Sequence, residues 1–235
     1  MAATLSEVER RVLGVLIEKA LAQPQYYPMT LNAIVAACNQ KSNRDPLMEL
    51  DDEAVWNALE VLRAGGLVTR LLPGGASRVE RFKHEAKERL GWEKPQRAVM
   101  AELLLRGPQT VGELRSRCAR MFPFETTEAL TAALESLSQG ETAMITALPR
   151  APGQAAVRHA HRLYYPEEWA ALTRGADGHA PTATLAIPAT PAADTGGLER
   201  TVEGLSAEVD ALRDRLAELC RRVERLEQGG ASEPV

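Results

Sequence analysis

His159 and His161 stand two residues apart in a segment that alternates like a strand, which puts both imidazoles on one face and could begin a metal site. A zinc site needs a third and a fourth ligand at recognisable spacing, and the sequence offers none. Flanked by Arg158 and Arg162, the pair reads more simply as part of a solvated hairpin, so no metal is expected. Cys38, Cys118 and Cys220 lie far apart with no C-x-x-C spacing, which suits a reducing compartment better than a disulfide framework. Cys38 and Cys118 fall on inner helix positions and are expected as small buried hydrophobes. The chain has no G-x-x-x-x-G-K-S/T, no G-x-G-x-x-G after a strand, no H-E-x-x-H and no G-x-S-x-G. The expectation is a non-enzymatic protein without a cofactor.

Charge offers more. Bases and acids balance across residues 1–172, so the net charge of −4 resides in residues 173–235. That balance argues against indiscriminate coating of nucleic acid but leaves room for a local basic patch. The candidates for nucleic-acid contact are Lys41, Asn43 and Arg44 in a long polar loop, Arg70, Arg78, Arg81 and Lys83 in a first hairpin, and Arg150, Arg158 and Arg162 in a second. Arg115, Arg117 and Arg120 add bases on a nearby helix. A competing surface is acidic: Glu53, Trp56, Asn57 and Glu60 share the outer face of one helix, and Glu128, Thr131, Glu135 and Ser136 that of another. Carboxylates set against phosphates would be repelled, and Glu reads only the cytosine amino group, which counts against ordinary major-groove insertion. The same acidic face suits a basic or apolar protein partner, although Trp56 borders the buried stripe and could equally be core.

The elements that position these residues follow from periodicity. Ser6 and Glu9 have capping-box spacing at the start of a helix to Leu21, with Val8, Val12, Val15 and Leu16 on its apolar face and Leu13 and Ile17 widening it. Thr30 is placed to cap a second helix ending at Cys38, and Asp51 or Asp52 to open a third that closes at Gly65-Gly66. Two strand-like segments follow, Leu67 to Leu72 and Arg78 to Phe82, split by Pro73-Gly74-Gly75, and then a short helix within Lys83 to Leu90. Helix, helix, helix, hairpin is the winged-helix order.

The pattern recurs. Pro28-Met29-Thr30 aligns with Pro108-Gln109-Thr110, and Cys38 with Cys118, at an offset of 80. Val12, Leu13, Leu16 and Ile17 align with Val99, Met100, Leu103 and Leu104 at 87, and Val55, Ala58, Leu59 and Leu62 with Leu130, Ala133, Leu134 and Leu137 at 75. Ala143 to Leu148 and Ala155 to Tyr165 supply the second hairpin. The fold class expected is therefore mostly α with small β-hairpin wings (α+β), as two tandem winged-helix domains, 1–92 and 93–173. A flexible linker over 174–197, rich in Ala, Thr, Pro and Gly, leads to a helix over 198–228. There Leu198, Leu205, Leu212, Leu219 and Leu226 take heptad position d, and Val202, Val209, Leu216 and Val223 take a. That seam favours a parallel two-stranded coiled coil and hence a homodimer, the alternative being an amphipathic helix docked on its own chain. No apolar run reaches the ~20 residues that span a bilayer, and no signal-peptide layout opens the sequence, so a cytoplasmic protein is expected.

Ser6 to Gly14, the Tyr27-Pro28 pair, Ala37 to Pro46, and the second-copy runs Leu103 to Thr110 and Gly112 to Arg117 together resemble the bacterial YceH-like family. The resemblance implies a tandem winged-helix fold ending in a coiled-coil helix. It brings no catalytic or ligand residues with it. Two functions stay open: a dimeric, DNA-associated, transcription-regulator-like protein using its wings and the Lys41–Arg44 loop, which leads, and a dimeric protein-interaction adaptor using its acidic helix faces.

Overall fold

The computed structural model describes residues 4–73, 79–140, 143–150 and 156–174. Arg78, the linker from residue 175 onward and every heptad position from Leu198 to Leu226 lie outside the described residues.

Caps open the helices where the sequence puts them. The Ser6 hydroxyl accepts from the Glu9 amide at 3.3 Å, the Glu9 carboxylate accepts from the Ser6 N–H at 3.0 Å, and α1 runs from Glu7 to Ala22. Thr30 caps α2 (Leu31–Cys38) and Asp51 caps α3 (Asp52–Ala64), each accepting from the amide three residues on. The antiparallel strands β1 (Val68–Leu71) and β2 (Arg81–His84) form the first wing, and α4 (Ala86–Leu90) leads out of it. The second copy repeats the order with α5 (Lys94–Arg106), β3 (Gln109–Thr110), α6 (Val111–Cys118), α7 (Thr127–Ser138) and a wing of β4 (Ile145–Ala147) and β5 (Arg158–His161). It closes with α8 (Pro166–Arg174), which the reading of the sequence lacks although Pro166, Glu167 and Glu168 form a suitable first turn. The fold is mixed α+β, mostly helical, with small antiparallel hairpins as wings.

Backbone pairing in the two copies corresponds closely. Val68 faces His84 in the first wing as Ile145 faces His161 in the second. Met29 bridges to Phe82, as Gln109 pairs with His159, tying each wing to the segment before the second helix of its copy.

The described residues form one compact unit, and inside it the copies share a core. Val12, Leu13, Val15, Leu16 and Ile17 of α1, and Ala98 to Ala101, Leu103 and Leu105 of α5, have no exposed surface. A helix buried all round sits between layers rather than on a surface. Here α1 packs on α2 and α3 of its own copy and on α5 of the other. The two meet at Gly14, where a Cβ would lie 3.0 Å from Leu105 Cγ and 3.1 Å from Leu104 Cβ.

Candidate functional site: wings, seam and helix faces

Each wing holds one arginine in an internal clamp. The Arg81 guanidinium donates to the Pro28 carbonyl at 2.7 Å, and in the second copy Arg158 donates to the Pro108 carbonyl at 2.8 Å. Each clamps the start of a wing strand to the proline before its capping threonine. Arg158 also lies 3.3 Å from Glu113, and Lys83 2.8 Å from Glu85. Residues facing each other in an antiparallel pair share a side of the sheet. Arg70 faces Phe82, so it lies on the opposite side from Arg81 and Lys83. There it stacks over the Trp56 ring at 5.6 Å and approaches Glu60 at 3.9 Å. The described bases of the first wing are therefore divided between its two sides. Lys41, Arg150 and Arg162 are exposed and have no ion-pair partner among the described residues.

Arg44 corrects an expectation. Offered by the sequence as a nucleic-acid contact, it is only 5% exposed. Its guanidinium donates to both Glu18 oxygens at 3.1 and 2.5 Å and to the Ala37 carbonyl at 3.0 Å. Arg120, just past α6, joins Glu18 from the second copy and donates to Glu102 at 2.6 Å, while Arg106 lies 3.4 Å from Glu102 and donates to Asn43 Oδ1. Burial alone would raise the Glu18 carboxyl, but hydrogen bonds and charge from Arg44 and Arg120 hold it below the usual range. Asn43, exposed at φ 59°, a left-handed conformation that Asn tolerates better than most residues, thus holds the loop to α5. The Lys41–Arg44 loop turns Arg44 inward, onto a network of carboxylates and guanidinia along the seam between copies, and leaves Lys41, Ser42 and Asn43 exposed. Nothing in local periodicity marks Glu18, Glu102 and Arg120 as partners. The one signal was a charge within an otherwise apolar run, at Glu18 after Val15-Leu16-Ile17 and at Glu102 before Leu103-Leu104-Leu105.

His161, expected on a solvated hairpin, is instead a core group, as is His84, whereas His159 is half-buried. His161 stacks on Tyr164 with ring centroids 4.0 Å apart, and its Nδ1 accepts from the Leu163 amide at 3.2 Å. Its structural counterpart is His84, whose Nδ1 accepts from the Ala86 amide at 3.2 Å beside the Tyr27 ring. Burial pushes His84 down to about 4 and His161 to about 3, so both rings are neutral near pH 7. No metal-binding cluster occurs among the described residues. Cys38 and Cys118 are buried, and burial pushes both thiols up, Cys38 to about 12, far from a reactive thiolate.

The outward faces of α3 and α7 are acidic. Asp52, Glu53 and Asn57 are exposed on the first, where the exposed Arg63 pairs with Glu60 at 2.7 Å, and Glu128 and Glu135 on the second. Trp56 is half-buried, edge-on to Phe82 at 6.0 Å, so it is part core and part surface. Val61, beside Glu60 in sequence, is 52% exposed.

Two wing-bearing helical units joined through one buried helix pair, with acidic outer helices and no metal cluster among the described residues, define the class of this molecule. The chain belongs to the family described as a protein of unknown function, DUF480, which it matches over residues 5–154. A UPF0502 protein of Geotalea daltonii is 51% identical over 160 residues, covering 68% of this chain and 72% of the relative. Relatives of the same description in Pelobacter propionicus (41% over 220 residues, 94% and 95% covered) and Mesorhizobium japonicum (43% over 212 residues, 90% and 94% covered) align well beyond residue 174. No described helix is long and apolar enough to cross a membrane.

Proposed function

We propose that this protein is a non-enzymatic interaction adaptor, which holds a basic, partly apolar segment of another protein on the acidic outer face of α3. The equivalent face of α7 offers a second, similarly charged surface. The observation that carries this reading is the division of charge. Arg44, Arg81 and Arg158 are committed to internal partners, whereas Glu53 and Asn57 stand exposed beside a half-open Trp56 and an exposed Val61. Guanidinium or ammonium groups would pair with the carboxylates, and an apolar side chain would cover the Trp56 edge and Val61. The heptads from Leu198 to Leu226 support a dimer, which would present each surface twice and raise avidity.

The DNA-associated reading now rests on Lys41, Arg150 and Arg162, with Arg78 outside the described residues. Fluorescence anisotropy of the full chain with mixed-sequence duplex DNA, at low and near-physiological salt, separates the two. The adaptor reading expects no salt-sensitive binding in the micromolar range. A micromolar affinity that falls steeply with salt, and is lost in a Lys41→Glu/Arg150→Glu/Arg162→Glu variant, would overturn it.

A further inference from the structure

A cavity of about 190 Å³ opens where α1 and the long loop of the first copy meet the end of α5 and the second wing. Arg11 lines it, and its side chain is 1% exposed. Two of its nitrogens donate to the carbonyls of Cys38 and Pro46, at 3.0 and 2.5 Å, while the buried Nε has no hydrogen-bond partner. The two guanidinia nearby have carboxylates of their own: Arg10 is paired with Glu168 and Arg44 with Glu18. Arg11 has no carboxylate within ion-pair reach among the described residues; burial and then the Arg44 charge disfavour its protonated form, and Glu7 and Asp45 offset this only in part, by charge from beyond that reach. A guanidinium out of water with no carboxylate in contact is costly, and an anion in the adjoining cavity would supply one.

The other walls narrow the ligand class. Arg106 adds a second guanidinium, whose Nε makes no hydrogen bond although it lies 3.4 Å from the Glu102 carboxylate. Tyr164 brings a hydroxyl with no hydrogen-bond partner among the described residues, close to Gly107, where a Cβ would stand 3.6 Å from it. Glu7 and Asp45 line the same cavity, are exposed, and take part in no ion pair among the described residues. One end thus asks for a carboxylate and the rim for an ammonium. An apolar cavity of about 150 Å³ holds benzene, so this one admits a molecule on the order of ten non-hydrogen atoms, too few for a nucleotide. We infer that the seam cavity is a binding site for a free α-amino acid, its carboxylate on Arg11 and Arg106 and its ammonium on Glu7 and Asp45. Bound there, the ligand touches both copies and ties them together across the seam.

The test is thermal unfolding of the full chain with each of the common amino acids at millimolar concentration, and with acetate and inorganic phosphate as probes of simple anion binding. The expected result is a dose-dependent rise in Tm of several degrees with at least one amino acid and none with acetate or phosphate. Arg11→Met abolishes the rise. Because that variant can fail to fold, Met48→Trp provides a second: residue 48 is a half-exposed wall, and the larger ring fills the cavity while leaving the core intact. No shift with any amino acid, or one that survives Met48→Trp, would overturn the site. An equal shift with acetate or phosphate would overturn the ligand class.

Discussion

His84 and His161 enter the fold as neutral rings because burial removes the water that would stabilise the imidazolium, and the nearby charges do not replace it. His84 faces Arg97, Glu85 and Lys83; His161 faces Arg10 and Glu168. Their folded pKa values lie below the ordinary value of 6.5, so the unfolded chain binds protons that the folded chain refuses. Stability from this source is complete above pH 6.5 and is lost as pH falls from 6.5 towards 4, by on the order of 2–3 kcal/mol for His84 alone. Denaturant unfolding at pH 7, 5.5 and 4.5 measures this directly. His84→Asn retains an acceptor for the Ala86 amide and is expected to cost stability at pH 7 yet flatten the pH dependence. An unchanged slope in that variant would refute the account. At this scale the sequence was only partly legible. Ser6, Thr30 and Asp51 cap as their types and spacing predict, because capping is local chemistry. Arg44 was misplaced because its partner Glu18 lies on α1, 26 residues away, and a polar loop looks solvated until the packing behind it is known.

Helices α1 and α5 hold the copies together. Their apolar stripes were visible, but not that they would be buried on every side, since each stripe predicts one partner and these helices have two. At Gly14 the helices approach closely: an imagined Cβ would lie 3.0 to 3.1 Å from Leu105 and Leu104 of α5, nearer than ordinary van der Waals contact. Gly14→Val is therefore expected to destabilise the fold by about 1–3 kcal/mol through overpacking, against a modest gain from leaving glycine out of a helix interior. In a domain of this size that lowers Tm by roughly 3–10 °C, measurable by calorimetry. A wild-type Tm would mean that the helices cross with more room than their side chains indicate. The wings were legible as hairpins from their turn residues. The strand pairing that ties β2 to Met29 and β5 to Gln109 was not, because a two-residue or one-bridge partner leaves no periodic trace.

Across the whole molecule, the repeat was the most legible feature, since aligned caps, cysteines and apolar stripes needed only loop insertions to coincide. Function was the least legible, because it depends on which charges remain free after folding. Folding leaves the acidic faces of α3 and α7 outward, buries Arg44 and ties the half-buried Arg81 and Arg158 to backbone carbonyls of their own copies, and the adaptor reading follows from that sorting. The most direct test is photo-crosslinking in the native organism from an unnatural amino acid at Asn57, on the exposed face of α3, with Glu53→Lys/Glu60→Lys as the control. The account predicts a discrete protein adduct that the charge reversal removes. A nuclease-sensitive nucleic-acid adduct, or no adduct that depends on Glu53 and Glu60, would contradict it.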